Sequence, residues 1–407
     1  MSKQLRTLYD NENAVSFLIC MLIFGISGGL NSGSLNNYLH EVLAISQVER
    51  GIVEFPRELP GLLLMFIIAI LSRFSELKVM NFALLISMTG MIGLGFVGDT
   101  RTMAIVSIIL FSTGEHMLMP IKQSVAMHMA RNGKEGLAMG GVSSLENIGQ
   151  LIGQYTIPVL FLIVGFIIPG VSVYGKFRHV FLLAAIVLFG AFVIASRIRE
   201  THGHIERKKI YFRKKFTKYY ILEMFFGARK QVFLTFAPYV LVLNYGAKTE
   251  YVAFLYGLWS FINIFLGPLM GRLIDRLGYK LIIVIDTIVL VGLCFLYGFS
   301  HRLFPHPIAF AIISVVFVLD AILFMVGMAR AVYVKSISNS KAEITTVLST
   351  GVSINHVVSI AIAIAGGIIW QKIGIEGLFS LAAVFGIGSF LFALTLPSPS
   401  TISAIRS

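Results

Sequence analysis

The residues able to do chemistry in this chain are ionisable side chains embedded in apolar stretches. Seven are acids: Glu54, Glu58, Glu115, Glu146, Glu223, Asp286 and Asp320. Five are bases, Arg57, Lys122, Arg229, Lys230 and Arg330, and His116 and His356 join them. An ionisable group at membrane depth is costly, and its retention points to a task. An unpaired carboxylate in low dielectric binds protons readily, an imidazole titrates near neutrality, and guanidinium or ammonium groups hold carboxylates and phosphates. This inventory suits reversible binding of protons and polar solutes better than the making of bonds.

Spacing arranges these groups on helix faces. Glu54, Arg57 and Glu58 stand three and four apart and share one face, with Pro56 and Pro60 loosening the helix around them. Glu115 and Lys122 are seven apart, as are Glu223 and Lys230, so each pair stacks on one side of its helix. Asp320 and Arg330 are ten apart and do not face each other. A polar stripe runs through Ser143, Glu146, Asn147, Gln150 and Gln154, and a second through Ser349, Ser353, His356 and Ser359. The serines read as interhelical hydrogen-bonding groups, whereas Glu146 reads as a proton carrier. Asp286 reads as structural.

Other chemistries lack their signatures. No G-x-x-x-x-G-K-[ST] run supports ATP hydrolysis, and no H-E-x-x-H supports a zinc hydrolase. His202 and His204 are two ligands short of a closed zinc site. No metal and no cofactor is expected. Cys20 and Cys294 each lie in an apolar run, so no disulfide framework exists.

The elements that must hold these groups follow from composition. Hydrophobic residues make up 57% of the 407 and charged ones 13%, about half the ~25% usual in soluble domains, and the mean hydropathy is +0.85. A soluble enzyme, a disordered chain and a disulfide scaffold are excluded. Bilayer-crossing helices need about 20 apolar residues. Twelve such runs lie at about 14–37, 47–72, 78–98, 103–129, 137–166, 178–196, 219–245, 249–271, 280–300, 307–333, 343–370 and 376–396. The polar leader Met1 to Asn13 is not a signal peptide. With both termini inside, inner segments carry about three times as many Lys and Arg as outer ones. The net charge of +13 is thereby topological and implies no nucleic acid. The domains expected are a six-helix bundle over 1–196, a basic cytoplasmic linker over 197–218 and a second bundle over 219–407.

The halves carry traces of duplication. A shift of 202 residues lays Phe24-Gly25 on Phe226-Gly227 and Lys78 on Lys280. A shift of 210 lays Gly141-Val142-Ser143 on Gly351-Val352-Ser353 and Glu146 on His356. Gly25, Gly28, Gly29 and Gly33 predict close helix approach in the first span, with Asn31, Asn36 and Asn37 facing an outer vestibule.

Between the eighth and ninth spans stands Gly271-Arg272-Leu273-Ile274-Asp275-Arg276-Leu277-Gly278-Tyr279-Lys280. Glycine at 278 permits a tight reversal, and the bases can reach lipid phosphates or the last carbonyls of a helix. The run matches G-x-L-x-D-R-x-G-x-[RK], and over its whole length the chain resembles the major facilitator superfamily. The corresponding loop between spans two and three departs from that pattern. It reads AILSRFSELK over Ala69 to Lys78, with Arg73 at the aspartate position and Glu76 as the replacement acid.

The resemblance implies an all-α membrane protein with twelve transmembrane helices in two pseudo-symmetric six-helix bundles. It implies a gating latch at Gly271, Asp275, Arg276, Gly278 and Lys280, and a central cavity lined by spans one, four, seven and ten. Glu115, His116, Lys122, Arg229, Lys230, Asp320 and Arg330 are sent to that cavity, with Arg57 added, as substrate-binding residues. Glu146, His356, Glu54, Glu58 and Glu223 are the proton-coupling candidates. The expected activity is secondary active transport of a small polar, charged solute, anionic or zwitterionic, across the cytoplasmic membrane, coupled to protons and carried out by a monomer in the lipid bilayer. Efflux of amphiphiles by proton antiport and a non-transporting sensor are the alternatives. The sugar-porter P-E-S-P-R, the peptide-porter E-x-x-E-R-F and the antiporter Gly-Pro step are absent.

Overall fold

The computed structural model describes Tyr9 and residues 13–71, 74–131, 135–199, 213–338 and 341–397. Among these the chain is almost wholly helical, with one isolated bridge between Tyr9 and Ala130. Ten helical spans are long and apolar enough to cross a membrane: the first at Ala14–Glu41, the third to sixth at Glu76–Val97, Arg101–Lys122, Gly140–Ile167 and Val173–Ser196, and the eighth to twelfth at Thr249–Leu266, Tyr279–Leu303, His306–Ile337, Thr350–Ile373 and Ile375–Leu394. Two more are interrupted. The second runs as Gln47–Leu62 and Leu64–Ile70; the seventh as Thr217–Gln231, a π turn at Val232–Phe236, and Ala237–Tyr245. These complete the twelve-helix architecture. Phe166 is 88% exposed and Leu162 76% exposed; faces so apolar require lipid, not water.

Sequence explains the interruptions. Pro56 and Pro60 each remove a backbone donor from the second span, which breaks at Leu63. Pro238 lacks the N–H that would bond the carbonyl of residue 234, and the helix widens into its π turn just before it. The tenth span is split at Val326, beside Gly327.

By compactness the chain forms two units. One comprises Met1–Ile45, Leu63–Arg207 and Ala247–Ile264; the other comprises Ser46–Leu62, Lys208–Gly246 and Phe265–Ser407. Relative to chain order, each unit takes one segment from the other half. Gly51 lies so close to span eleven that a Cβ there would stand 2.2 Å from the Ala363 carbonyl oxygen, which ties 46–62 into the second unit. Gly257 meets Tyr155 and ties 247–264 into the first.

Within the first unit, spans one and five cross backbone to backbone. A Cβ on Gly25 would lie 2.3 Å from the Glu146 carbonyl oxygen, and one on Gly149 would lie 2.1 Å from that of Leu22. Gly29 and Gly153 repeat the contact one turn on, so two glycines spaced by four face two more. In the second unit, spans seven and eleven cross with Gly227 against the backbone of Asn355. The repeat seen as short sequence matches therefore recurs as a helix crossing in each unit. Asn37 differs from expectation: instead of facing a vestibule it is buried and donates to Glu41 at 2.9 Å and to the Ala247 carbonyl at 2.8 Å.

Candidate functional site

In the first unit the glycine crossing delivers Glu146 to Lys122. The Lys122 ammonium donates to both carboxylate oxygens, at 2.7 and 2.5 Å, and stands 6.0 Å from the centre of the Phe24 ring. Glu146 is thus a paired carboxylate, unlike the unpaired one expected, because span four presents Lys122 at the level where span five presents Glu146. The pair keeps some access, with side-chain exposures of 18% and 15%. Earlier along span four, His116 is buried, and its Nδ1 donates to the Ser112 carbonyl at 2.8 Å, with the Ser112 hydroxyl 3.1 Å away. Glu115 is half-buried beside it.

The second unit holds most of the remaining charges. On span two, Arg57 bridges Glu54 and Glu58, binding Glu58 at 2.6 Å, while Arg50 donates to the other oxygen of Glu54 at 2.6 Å. Arg50 also lies over the Tyr239 ring. Arg50 falls within the second apolar run but is not among the five bases singled out from sequence; its position four residues before Glu54 is the available signal. Glu58 continues to His356 on span eleven, 2.8 Å from Nδ1. These side chains form one chain of acid, base, acid and imidazole, buried except at the half-buried Arg57.

Spans seven, nine and ten supply the rest. Arg229 donates to Asp320 at 3.0 Å and to the Leu323 carbonyl at 3.1 Å, and Asp286 lies 3.7 Å from the same guanidinium. Asp286 was read as structural; its side chain is buried in this triad, because the ninth span turns that face inward against spans seven and ten. Arg330 donates to Glu223 at 2.7 Å, and Asn355 reaches the other Glu223 oxygen at 3.3 Å. Phe226 lies between the two cations, its centre 5.2 Å from Arg229 and 3.7 Å from Arg330, a cation–π arrangement that fixes both guanidiniums. Asn355 had no place in the sequence reading; it sits one residue before His356, outside the serine stripe.

Four of the five embedded bases therefore carry an internal acid as counter-ion. Lys230 does not: among the described residues no hydrogen bond or ion pair reaches its ammonium, and Glu58, Arg57, Glu223 and Glu54 are the charges around it. It directly precedes Gln231 and the π turn.

At the motif loop, Gly271 and Asp275 lie in the helix ending at Leu277, Arg276 is exposed, and Gly278 adopts a φ of 80° that glycine tolerates freely. Lys280 donates to the carbonyls of Leu394 and Leu396, both at 2.8 Å, Lys218 to that of Thr395 at 2.6 Å, and the Tyr279 hydroxyl to that of Pro397 at 2.6 Å. The motif lysine thus closes the carbonyl end of span twelve. The linker residues Arg207, Lys208 and Lys209, together with His202, His204 and Arg73, lie outside the described residues.

Three comparisons bear on this arrangement. A family model described as Major Facilitator Superfamily matches residues 17–357. No curated protein matches the sequence. Among solved structures, a variant of the nucleoside transporter NupG is similar with a TM-score of 0.72 at 13% identity, covering 97% of this chain and 100% of that one. The inward-open xylose transporter XylE from E. coli is similar with a TM-score of 0.72 at 14% identity, covering 96% and 98%. A bacterial homologue of the human lysosomal transporter Spinster has a TM-score of 0.68 at 14% identity and 97% coverage of both chains.

Proposed function

The chain belongs to the Major Facilitator Superfamily, and from that membership we propose that it is a secondary transporter which moves a small polar solute by proton-coupled alternating access. The observation that carries this reading is the Lys122–Glu146 pair: a base and an acid at membrane depth, bound to each other yet partly accessible. A proton on Glu146 cancels the charge that holds Lys122 and frees the ammonium to donate to an oxygen of the solute. Loss of the proton restores the pair and ejects the solute. Proton and solute are then bound and released together, which is symport.

The distribution of counter-ions bears on substrate charge. An anion seeking Arg57, Arg229 or Arg330 must displace a buried carboxylate already hydrogen-bonded there, and that carboxylate would be left unpaired. A released Lys122 is the positive contact that the first unit opens to a solute. A zwitterion or a neutral hydroxylated solute suits one such contact better than a multiply charged anion. The similar structures include a nucleoside transporter and a D-xylose–proton symporter, whose solutes are of that polar kind. The Lys and Arg bias supports an orientation with both termini on the cytoplasmic side of the cell membrane. The two compact units, each with one segment from the other half of the chain, are its moving parts, and a single chain suffices.

Purified full-length protein in proteoliposomes tests this. Radiolabelled uridine and xylose are the probes, with and without an imposed pH gradient. Wild type should accumulate at least one of them when the gradient is imposed. Glu146→Gln should lose gradient-driven accumulation and keep solute exchange. Undiminished gradient-driven uptake by that variant would remove Glu146 as the carrier, and absence of any flux in wild type for a range of polar metabolites would remove the transport reading.

A further inference from the structure

One dipeptide occurs at matching places in both halves and makes the same two contacts each time. Phe24-Gly25 of span one and Phe226-Gly227 of span seven superpose under the 202-residue shift. In the second unit Gly227 meets the Asn355 backbone of span eleven, and the centre of the Phe226 ring lies 3.7 Å from the Arg330 guanidinium of span ten. In the first unit Gly25 meets the Glu146 backbone of span five, and the centre of the Phe24 ring lies 6.0 Å from the Lys122 ammonium of span four. Spans four and ten correspond in the two halves, as do spans five and eleven. Each glycine sets a helix crossing, and each ring meets the cation of the neighbouring span.

The two rings differ in what their cations must do. Arg330 keeps a buried acid, Glu223, so Phe226 adds to a contact that is already fixed. Lys122 has Glu146, and the proposed cycle requires it to let that acid go. A lysine carries a strongly hydrated head on a flexible four-carbon stem, and Lys122 stands at the very end of the apolar stretch Arg101–Lys122. Unrestrained, its ammonium would swing to the nearest water. The Phe24 ring is only 4% exposed, and the negative face of a buried ring attracts an ammonium. It supplies no lone pair, so the N–H groups stay available to a solute oxygen. The 6.0 Å of the closed pair is the outer limit of that attraction; without Glu146 the lysine stem is free to shorten it.

We infer that Phe24 is a positioning residue, which keeps the Lys122 ammonium at the level of Glu146 after that acid is protonated. Solute and carboxylate then contend for one cation in one place. The part this plays in solute binding rests on the transport reading above; the ring–ammonium coupling itself does not.

The test uses purified full-length protein and begins with thermal unfolding in detergent. Phe24→Leu keeps apolar bulk and removes the ring face. It is made in wild type, in Glu146→Gln, and in Glu146→Gln combined with Lys122→Met. The fall in midpoint should be larger in Glu146→Gln, where the ring is left to hold the ammonium, than in wild type. It should be smallest where Lys122→Met has removed the charge, because only packing is then lost. Phe24→Tyr should keep the midpoint in all three backgrounds. If Phe24→Leu does not fold, a trifluorinated phenylalanine at the same position keeps the shape, drains the ring face and should give the same order. In proteoliposomes, for whichever of uridine and xylose wild type carries, Phe24→Leu should raise KM several-fold with kcat nearly unchanged, and Phe24→Tyr should restore KM. An equal fall in all three backgrounds, or an unchanged KM in Phe24→Leu, would overturn the inference. Charge-dependent coupling in a chain that moves neither solute would uphold the ring's hold on Lys122 and count against the transport reading alone.

Discussion

The two helix crossings, span one with span five and span seven with span eleven, occupy corresponding places in the two halves and have been filled differently. The first is built from four glycines and ends in a single acid–base pair, Lys122–Glu146, that stays partly exposed. The second has Gly227 against the Asn355 backbone and Gly351 against the Tyr219 ring, and supports a buried network of Glu223, Arg330, Asn355 and Ser359, in which the Ser359 hydroxyl donates to the Gly227 carbonyl at 3.2 Å. A pair with one partner on each side can open whenever its acid is protonated. A network with several partners holds its acid whatever one of them does. The two crossings thus share one scaffold and differ in the side chains they carry, a partly exposed ion pair in one and a buried network in the other.

The sharpest break of that comparison is steric. Gly25→Leu should prevent the first crossing, because the new side chain meets a carbonyl and not a movable side chain. The cost should exceed the ~1–3 kcal/mol of ordinary overpacking and appear as loss of monodisperse protein after detergent extraction. Gly227→Ala should be tolerated better, since its nearest obstacle stands at 2.8 Å. Gly140→Ala, with nothing within 4 Å, should leave thermal stability unchanged. Equal damage from Gly25→Leu and Gly227→Leu would mean that the glycine count does not distinguish the crossings.

Next comes charge removal. Glu223→Gln strands Arg330 in a buried site and should cost ~3–5 kcal/mol, read as a lower thermal midpoint. Lys122→Ala strands a partly exposed Glu146 and should cost about 1 kcal/mol, while weakening solute binding. A double-mutant cycle with Glu146→Gln should recover most of the Lys122→Ala loss. If Lys122→Ala destabilised the protein as much as Glu223→Gln, the first pair would be as structural as the second network, and the exchange mechanism would lose its basis.

Much of this was visible in the residues themselves. Charges within long apolar runs stand out by composition, and spacing put Glu54, Arg57 and Glu58 on one face, where the structure finds them bonded. The prolines marked the interrupted second span. Partner choice was not legible, because it depends on which helices pack. Asp286 became part of an ion triad only once span nine turned inward, and Glu146 acquired its counter-ion from span four. The exchange of 46–62 and 247–264 between units was equally invisible, since it rests on Gly51 and Gly257 meeting partners far along the chain.

The smallest expected effect concerns the two lysines that the 202-residue shift superposes. Lys280 closes the end of span twelve through two carbonyls at 2.8 Å, whereas Lys78 is exposed, and among the described residues no hydrogen bond reaches its side chain. Lys280→Ala leaves the carbonyls of Leu394 and Leu396 to find water, at about 1 kcal/mol for bonds made near the surface. Hydrogen exchange at the amides around 394–397 should accelerate several-fold, with global stability almost unchanged because the buried cluster of Tyr219, Tyr279, Tyr333 and Val347 stays packed. Lys78→Ala should leave exchange in the third span as it was. Matching acceleration at both places would show that Lys78 makes an equivalent tie, and the halves would then be more alike at their helix ends than at their charged centres.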